Sequence, residues 1–159
     1  MRLHIPYRET ALLAAGLIAI ACGSPKKDAP NAGARQLIDD LRAAAEDRSA
    51  DAIGLRLNGD FRGTGGIDRA AALEMLKQYF TAYQTLRVDV SDVDITRQSS
   101  RIADVRCRVE FRGTTKRVAG LDALLPPTAA YRVELHVIWP MTPDWLVQTA
   151  EWQPIEAKP

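Results

Sequence analysis

The hydrophobic spacing of this chain changes from a helical period to a strand period near Leu86. Before that point, apolar residues recur every three or four positions, as on the inner side of amphipathic helices. After it, apolar and polar residues alternate, as on strands that are buried on one face only. A block of helices followed by a block of alternating strands is typical of an α+β domain with a mostly antiparallel sheet.

Three helices are predicted in the first block. The first begins at Arg35, the second follows Ser49 as its N-cap, and the third follows Asp68 as its N-cap. The inner stripe of the third helix contains Leu73, Leu76, Phe80 and Tyr83. Between the second and third helices, the stretch NGDFRGTGG is rich in turn-forming residues and predicts a loop, with Phe61 anchored in the core.

Four strands are predicted in the second block. They contain the segments LRVDV with VDI, RIADVRCRVEF, YRVELHVIW and WLVQTAEWQ. The alternation changes phase across Ser91 and Asp92, which predicts a β-bulge in the first strand.

The N-terminal segment has the pattern of an export signal. Arg2 and Arg8 precede an uncharged apolar run of 12 residues, TALLAAGLIAIA, whereas spanning a bilayer takes about 20.

The following AIACGS resembles the lipobox of bacterial lipoproteins, in which a peptidase cuts before the cysteine and the sulfur receives a diacylglyceryl group. The resemblance implies a signal peptide over 1–21, a lipidated Cys22 with a flexible tether over 22–34, and a place in the cell envelope. It also implies an outer-membrane location facing the periplasm if the cell is Gram-negative. Secretion with a free Cys22 and an uncleaved anchor are the alternatives.

The charge balance excludes an obvious nucleic-acid surface. The formal net charge is only +1, from 21 basic and 20 acidic residues, so the basic footprint of a nucleic-acid-binding protein is absent. Cleavage before Cys22 would leave equal numbers of basic and acidic side chains, so the lipid would have to supply the membrane attachment. His136 and Cys107 would then be the remaining histidine and free cysteine, and neither a metal site nor a cofactor is expected.

The domain over 35–159 resembles the NTF2-like (SnoaL-like) superfamily. The resemblance depends on the order of the elements, on GDFRG before the long helix, on QYFTAY within it and on the closing DWLVQTAEWQP. It implies a cone in which three N-terminal helices pack on a curved, mostly antiparallel sheet of four or more strands around a pocket. Members of the superfamily include isomerases, dehydratases, small-ligand binders and domains of no known activity. Its enzymes use an acid–base pair on opposite pocket walls, such as an aspartate with tyrosines or a histidine–aspartate couple.

Five side chains are candidates for lining a ligand pocket: Asp60, Arg62, Tyr83, Tyr131 and Trp139. Asp60 and Tyr83 are the candidates for catalysis, because a carboxyl group and a phenol can exchange protons with one substrate atom. The competing interpretation is structural. In it Asp60 caps a turn, Arg62 is solvated, and the aromatic side chains fill the core.

Two other reactive side chains are predicted to be structural. Alternation places His136 on the polar outer row of its strand and Cys107 on an inner row between Val105 and Val109. The apolar stretch 118–131, between two strands, is predicted to be either a lid or a cover for one end of the cone.

The leading functional expectation is a lipid-anchored module without catalysis. It would bind a small hydrophobic ligand or another protein, and a homodimer through the sheet is left open. The alternative is a small isomerase or dehydratase that uses Asp60 with a pocket tyrosine.

Overall fold

The computed structural model describes residues 31–115 and 128–156. The elements are α1 (Ala32–Glu46), α2 (Ala50–Gly54), β1 (Leu57–Gly63), a short 3₁₀ helix (Thr64–Gly66), α3 (Arg69–Ala82), β2 (Tyr83–Arg97), β3 (Ile102–Thr115), β4 (Thr128–Ile138) and β5 (Leu146–Ile155). The predicted α+β class is confirmed. The export signal, Cys22, most of the tether and residues 118–127 lie outside the described residues, and α1 begins three residues before the predicted Arg35.

The five strands form one curved sheet in the order β1-β5-β4-β3-β2. β1 runs parallel to β5, and the other neighbours are antiparallel, so the sheet is mixed. The prediction of a loop over NGDFRGTGG was wrong, because its first six residues belong to the edge strand β1. The turn-forming residues do not prevent pairing there, since the backbone of Arg62 and Gly63 pairs with Thr149 and Ala150 of β5. Phe61 is buried in the core as predicted.

Both predicted helix N-caps are confirmed. The Ser49 hydroxyl accepts a hydrogen bond from the backbone N–H of Ala52, and the Asp68 carboxylate accepts one of 2.8 Å from Ala71. α3 ends earlier than its apolar stripe predicts, because Tyr83 is extended and its backbone pairs with Thr115 of β3. Tyr83 is therefore buried, as expected, but on a strand and not on a helix.

The predicted bulge in β2 is confirmed. The register between β2 and β3 shifts between Ser91 and Asp94, and Asp92 has a positive φ of 53°. In a regular strand, two side chains three residues apart point to opposite faces of the sheet. The extra residue of a bulge shifts the alternation by one position, so that such a pair points to the same face. The bulge therefore lets both Val90 and Val93 pack against the core.

The helices cover the inner face of the sheet in two hydrophobic clusters. One cluster joins the first half of α1 to the centre of β3, β4 and β5, and includes Leu37, Val105 and Val137. The other joins the end of α1 to α2, α3 and β2, and includes Phe80 and Tyr83. In the described parts of the chain, no helix has the length and apolar character needed to cross a membrane.

Candidate functional site

A cavity of about 360 Å³ lies between the three helices and the inner face of the sheet. Its wall contains residues of both hydrophobic clusters, of all three α-helices and of all five strands, and most of them are aliphatic or aromatic. Its polar side chains are Arg42, Tyr79, Tyr131, the Trp152 indole and the Cys107 thiol. Among the described residues that line it, none is aspartate, glutamate or histidine. A cavity with such a wall can bind an apolar molecule, and its described lining residues include no carboxylate or imidazole that could act as a base.

Tyr79 is a neutral phenol that lines the cavity and is not a base. The Tyr79 and Tyr83 hydroxyls are 3.1 Å apart, and their ring centroids are 4.9 Å apart. Burial, followed by the hydrogen bond to Tyr83, raises the pKa of Tyr79 far above its ordinary value. Tyr131 packs edge-on against Phe111, with centroids 5.9 Å apart. The aromatic rings of Tyr79, Phe111 and Tyr131 therefore supply mainly apolar surface to the cavity wall.

The structure does not place Asp60 or Arg62 at the cavity. Alternation along β1 turns Phe61 into the core and leaves both of its neighbours exposed. Arg62 donates a hydrogen bond of 2.8 Å to the carbonyl of Phe61, and neither polar side chain lines the cavity. The predicted acid–base pair of Asp60 with a pocket tyrosine is therefore not assembled in this structure.

Of the five pocket candidates, Tyr131 alone is among the described residues lining the cavity. Tyr83 is fully buried beside Tyr79 and does not contribute to the wall. Trp139 follows β4, is 38% exposed, and donates its indole N–H to the carbonyl of Thr142. The polar residues that sequence reasoning missed are Arg42 and Tyr79. The spacing of Ile38, Arg42 and Ala45 along α1 is the signal that could have found Arg42, because these positions share one helix face.

Several solved structures resemble this chain. A candidate scytalone dehydratase from Novosphingobium aromaticivorans superposes with a TM-score of 0.67 at 14% identity, over 79% of this chain and 83% of its own. A hexachlorocyclohexane dehydrochlorinase, LinA-type3, from Novosphingobium barchaimii superposes with a TM-score of 0.62 at 10% identity. The match covers 79% of this chain and 86% of that protein. A ketosteroid isomerase-like protein from Erwinia carotovora atroseptica superposes with a TM-score of 0.60 at 14% identity. The match covers 82% of this chain and 99% of that protein. The chain has the NTF2-like fold.

This NTF2-like assignment concerns the fold alone, because the sequence identities are low. No protein-family model matches the sequence, and no curated protein matches it either. The chemistry of the NTF2-like domain therefore has to be argued from its own side chains.

The NTF2-like domain contains a histidine–aspartate couple, but it lies on the outer face of the sheet. His136 Nδ1 is 2.7 Å from Asp104 Oδ1, and Gln98 donates a 2.6 Å hydrogen bond to the other carboxylate oxygen. The hydrogen bond from His136 and then that from Gln98 hold the pKa of Asp104 below its usual value. Strand alternation directs both residues away from the cavity, so the predicted outer position of His136 is confirmed and the couple faces solvent.

The predicted inner position of Cys107 is also confirmed. Its side chain is buried and lines the cavity of the NTF2-like domain, and burial raises the pKa of the thiol to about 11. The sulfur is therefore a neutral thiol at physiological pH. Within the described residues, no group of three or more histidine, cysteine, aspartate or glutamate side chains could hold a metal ion.

Proposed function

We propose that the protein is a lipid-anchored component of the cell envelope whose NTF2-like domain binds a small apolar ligand. The observation that supports binding is the composition of the cavity wall, which is mostly aliphatic and aromatic and offers no carboxylate or imidazole among the described residues. A preformed apolar cavity of about 360 Å³ is in the size range of small-molecule sites, roughly 300–1,000 Å³. The isomerase or dehydratase alternative receives no comparable support, because Asp60 is exposed and away from this wall.

The proposed anchor is a lipid on Cys22, within an export signal that ends at residue 21. The support is the lipobox-like sequence around this cysteine and the near-balance of charge in the chain. Nine residues separate Cys22 from the start of α1 at Ala32, so an extended tether would reach roughly 30 Å. The domain would stand on the periplasmic side of the outer membrane and take its ligand there.

Photolabelling of the full chain in phosphatidylcholine nanodiscs tests ligand binding. The probe is a dodecanol that carries a diazirine, with protein-free discs as the blank and mass spectrometry to locate the label. We expect saturable labelling of peptides from the inner faces of β3, β4 and β5. Label spread evenly over exposed surfaces, with no saturation, would contradict the proposal.

Two neighbouring residues of β5 provide matched variants for this experiment. Ala150 lines the cavity, whereas Thr149 pairs with His136 on the outer face of the sheet. Ala150→Phe should reduce the saturable labelling at least tenfold, because the ring occupies the cavity, and Thr149→Phe should leave it unchanged. Equal labelling of both variants, each with a wild-type circular dichroism spectrum, would argue against the cavity as the binding site.

We further propose a homodimer through the outer face of the sheet. Like charges lie opposite each other there in two adjacent rows, Arg108 with Arg132 and Glu134 with Glu151. Like charges directly opposite each other are destabilising, and here Arg108 and Glu134 are compensated by Glu110 and Arg106, each at 3.5 Å. A two-fold axis between the rows would bring Arg132 onto Glu151 of the partner subunit, and neither has an ion-pair partner among the described residues.

Analytical ultracentrifugation of the detergent-solubilised protein tests the dimer. Arg132→Glu should shift the wild-type dimer to monomer, whereas Arg35→Glu on the exposed side of α1 should not. A wild-type protein that sediments as a monomer at all concentrations would contradict this proposal without affecting ligand binding.

A further inference from the structure

Arg42 is the one charged side chain among the described residues that line the cavity. It lies on α1 between Leu41 and Ala45 of the same wall, and its side chain is 43% exposed. Met75, on the facing side of α3, also lines the cavity and is 45% exposed. A residue that both lines a cavity and is half-exposed marks its opening, so the mouth lies between α1 and α3.

The guanidinium of Arg42 is available for a second anion. Its Nη1 atom lies 4.0 Å from Glu46 Oε2, which is too far for a hydrogen bond. Glu46 is held elsewhere, because its other carboxylate oxygen accepts a 3.1 Å hydrogen bond from the backbone N–H of Val88 on β2. A guanidinium presents a planar set of donors that can bind a carboxylate or phosphate through two parallel hydrogen bonds.

Below the mouth, the wall is suited to a single apolar chain. Tyr79, Phe80 and Phe111 contribute aromatic surface, and aliphatic side chains of all five strands complete the wall. The volume of about 360 Å³ is at the lower end of the range for small-molecule sites, which favours one chain over a bulky lipid with several chains.

We infer that the ligand is a single-chain amphiphile whose anionic head binds Arg42 at the mouth while its tail fills the cavity. This inference rests on the proposed ligand-binding function. The head is a carboxylate or a phosphate monoester, since the guanidinium recognises the shared negative oxygens of both. The exposure of Arg42 implies that the contribution of the head is moderate and decreases with salt.

Competition against the dodecanol photolabel, with the full chain in phosphatidylcholine nanodiscs, tests the head group. The unlabelled competitors are dodecanol, dodecanoate, dodecyl phosphate and dodecyltrimethylammonium, each corrected for its partition into protein-free discs. We expect at least one of the two anions to compete about tenfold more strongly than dodecanol, and the cation to compete less strongly than dodecanol. The stronger of the two anions identifies the head group.

Two arginine variants separate recognition of the head from a structural role. Arg42→Gln should abolish the preference for the anion and leave competition by dodecanol unchanged. Arg35→Gln, an exposed position two turns earlier on α1, should keep the preference. Raising the salt concentration should reduce the preference in the wild type and not in Arg42→Gln.

The outcomes distinguish this inference from the proposed function. If dodecanol competes but neither anion is preferred, the inference is overturned while the cavity remains a binding site. Equal weakening of all competitors by Arg42→Gln would assign Arg42 a structural role and also overturn it. If no competitor displaces the label, both the inference and the proposed function fail.

Discussion

Cys107 provides a chemical probe of the cavity from within its wall. Its pKa is raised by burial from 9.0 to about 11, so at pH 8 its thiolate fraction is about 100-fold lower than that of an unburied thiol. We expect its reaction with a disulfide reagent to be correspondingly slow and to accelerate about tenfold per pH unit up to pH 11. Stopped-flow absorbance measures the rate, and Cys107→Ala identifies the signal. A rate that levels off near pH 9 would contradict this expectation.

Asp104 and His136 show what a polar pair contributes on the outer face. The pKa of Asp104 is lower in the folded protein than its ordinary value of 3.8. The interactions of the ionised carboxylate therefore stabilise the fold at pH values above 3.8, and this stabilisation is lost as the pH falls through the folded-state pKa. His136→Ala should therefore raise the pKa of Asp104 in NMR titrations. The pair is partly exposed, so the variant should lose at most about 1 kcal/mol in urea unfolding at pH 6. The loss should decrease as the pH falls below 3.8, and a loss that stays constant there would indicate a different cause.

At the scale of elements, β1 determines which residues reach the cavity. Its parallel pairing with β5 turns Phe61 inward and leaves Asp60 and Arg62 outside. The local sequence favours a turn, and pairing with a strand more than eighty residues away overrides that preference. The three helices and the four later strands are predicted by the sequence because each depends on a local hydrophobic period.

Two glycines of β1 test the packing of this strand. A Cβ atom at Gly63 would come within 2.9 Å of Ile67 and 3.0 Å of the Trp152 ring, whereas one at Gly59 would meet nothing within 4 Å. We expect Gly63→Ala to destabilise the domain by about 1–3 kcal/mol through overpacking and Gly59→Ala to have little effect. Urea unfolding followed by tryptophan fluorescence measures both. Equal stability of the two variants would contradict the close contact of β1 with β5.

At the scale of the whole molecule, the proposed anchor joins a binding domain to a membrane. Metabolic labelling with an alkyne-bearing palmitate tests it, because acylation at Cys22 would incorporate the label. We expect Cys22→Ala to abolish incorporation and Cys107→Ala, a buried cysteine of the domain, to retain it. Label on Cys22→Ala, or none on the wild type, would count against lipidation.

The sequence alone predicted the features that depend on neighbouring residues. The N-caps at Ser49 and Asp68, the bulge after Ser91, and the inner and outer positions of Cys107 and His136 all follow from local hydrogen bonding or from a period of two or 3.6 residues. The α+β class follows from the same periods.

Tertiary structure alone decided which side chains share a site. It paired β1 with β5, joined His136 to Asp104 across two strands, placed Arg42 at the cavity mouth and left Asp60 in solvent. The hydrophobic period of a segment predicts which face of its helix or strand a residue occupies. It does not predict which element, distant in the sequence, packs against that face. The apolar cavity and its single cationic lining residue in the described chain are consequences of that packing.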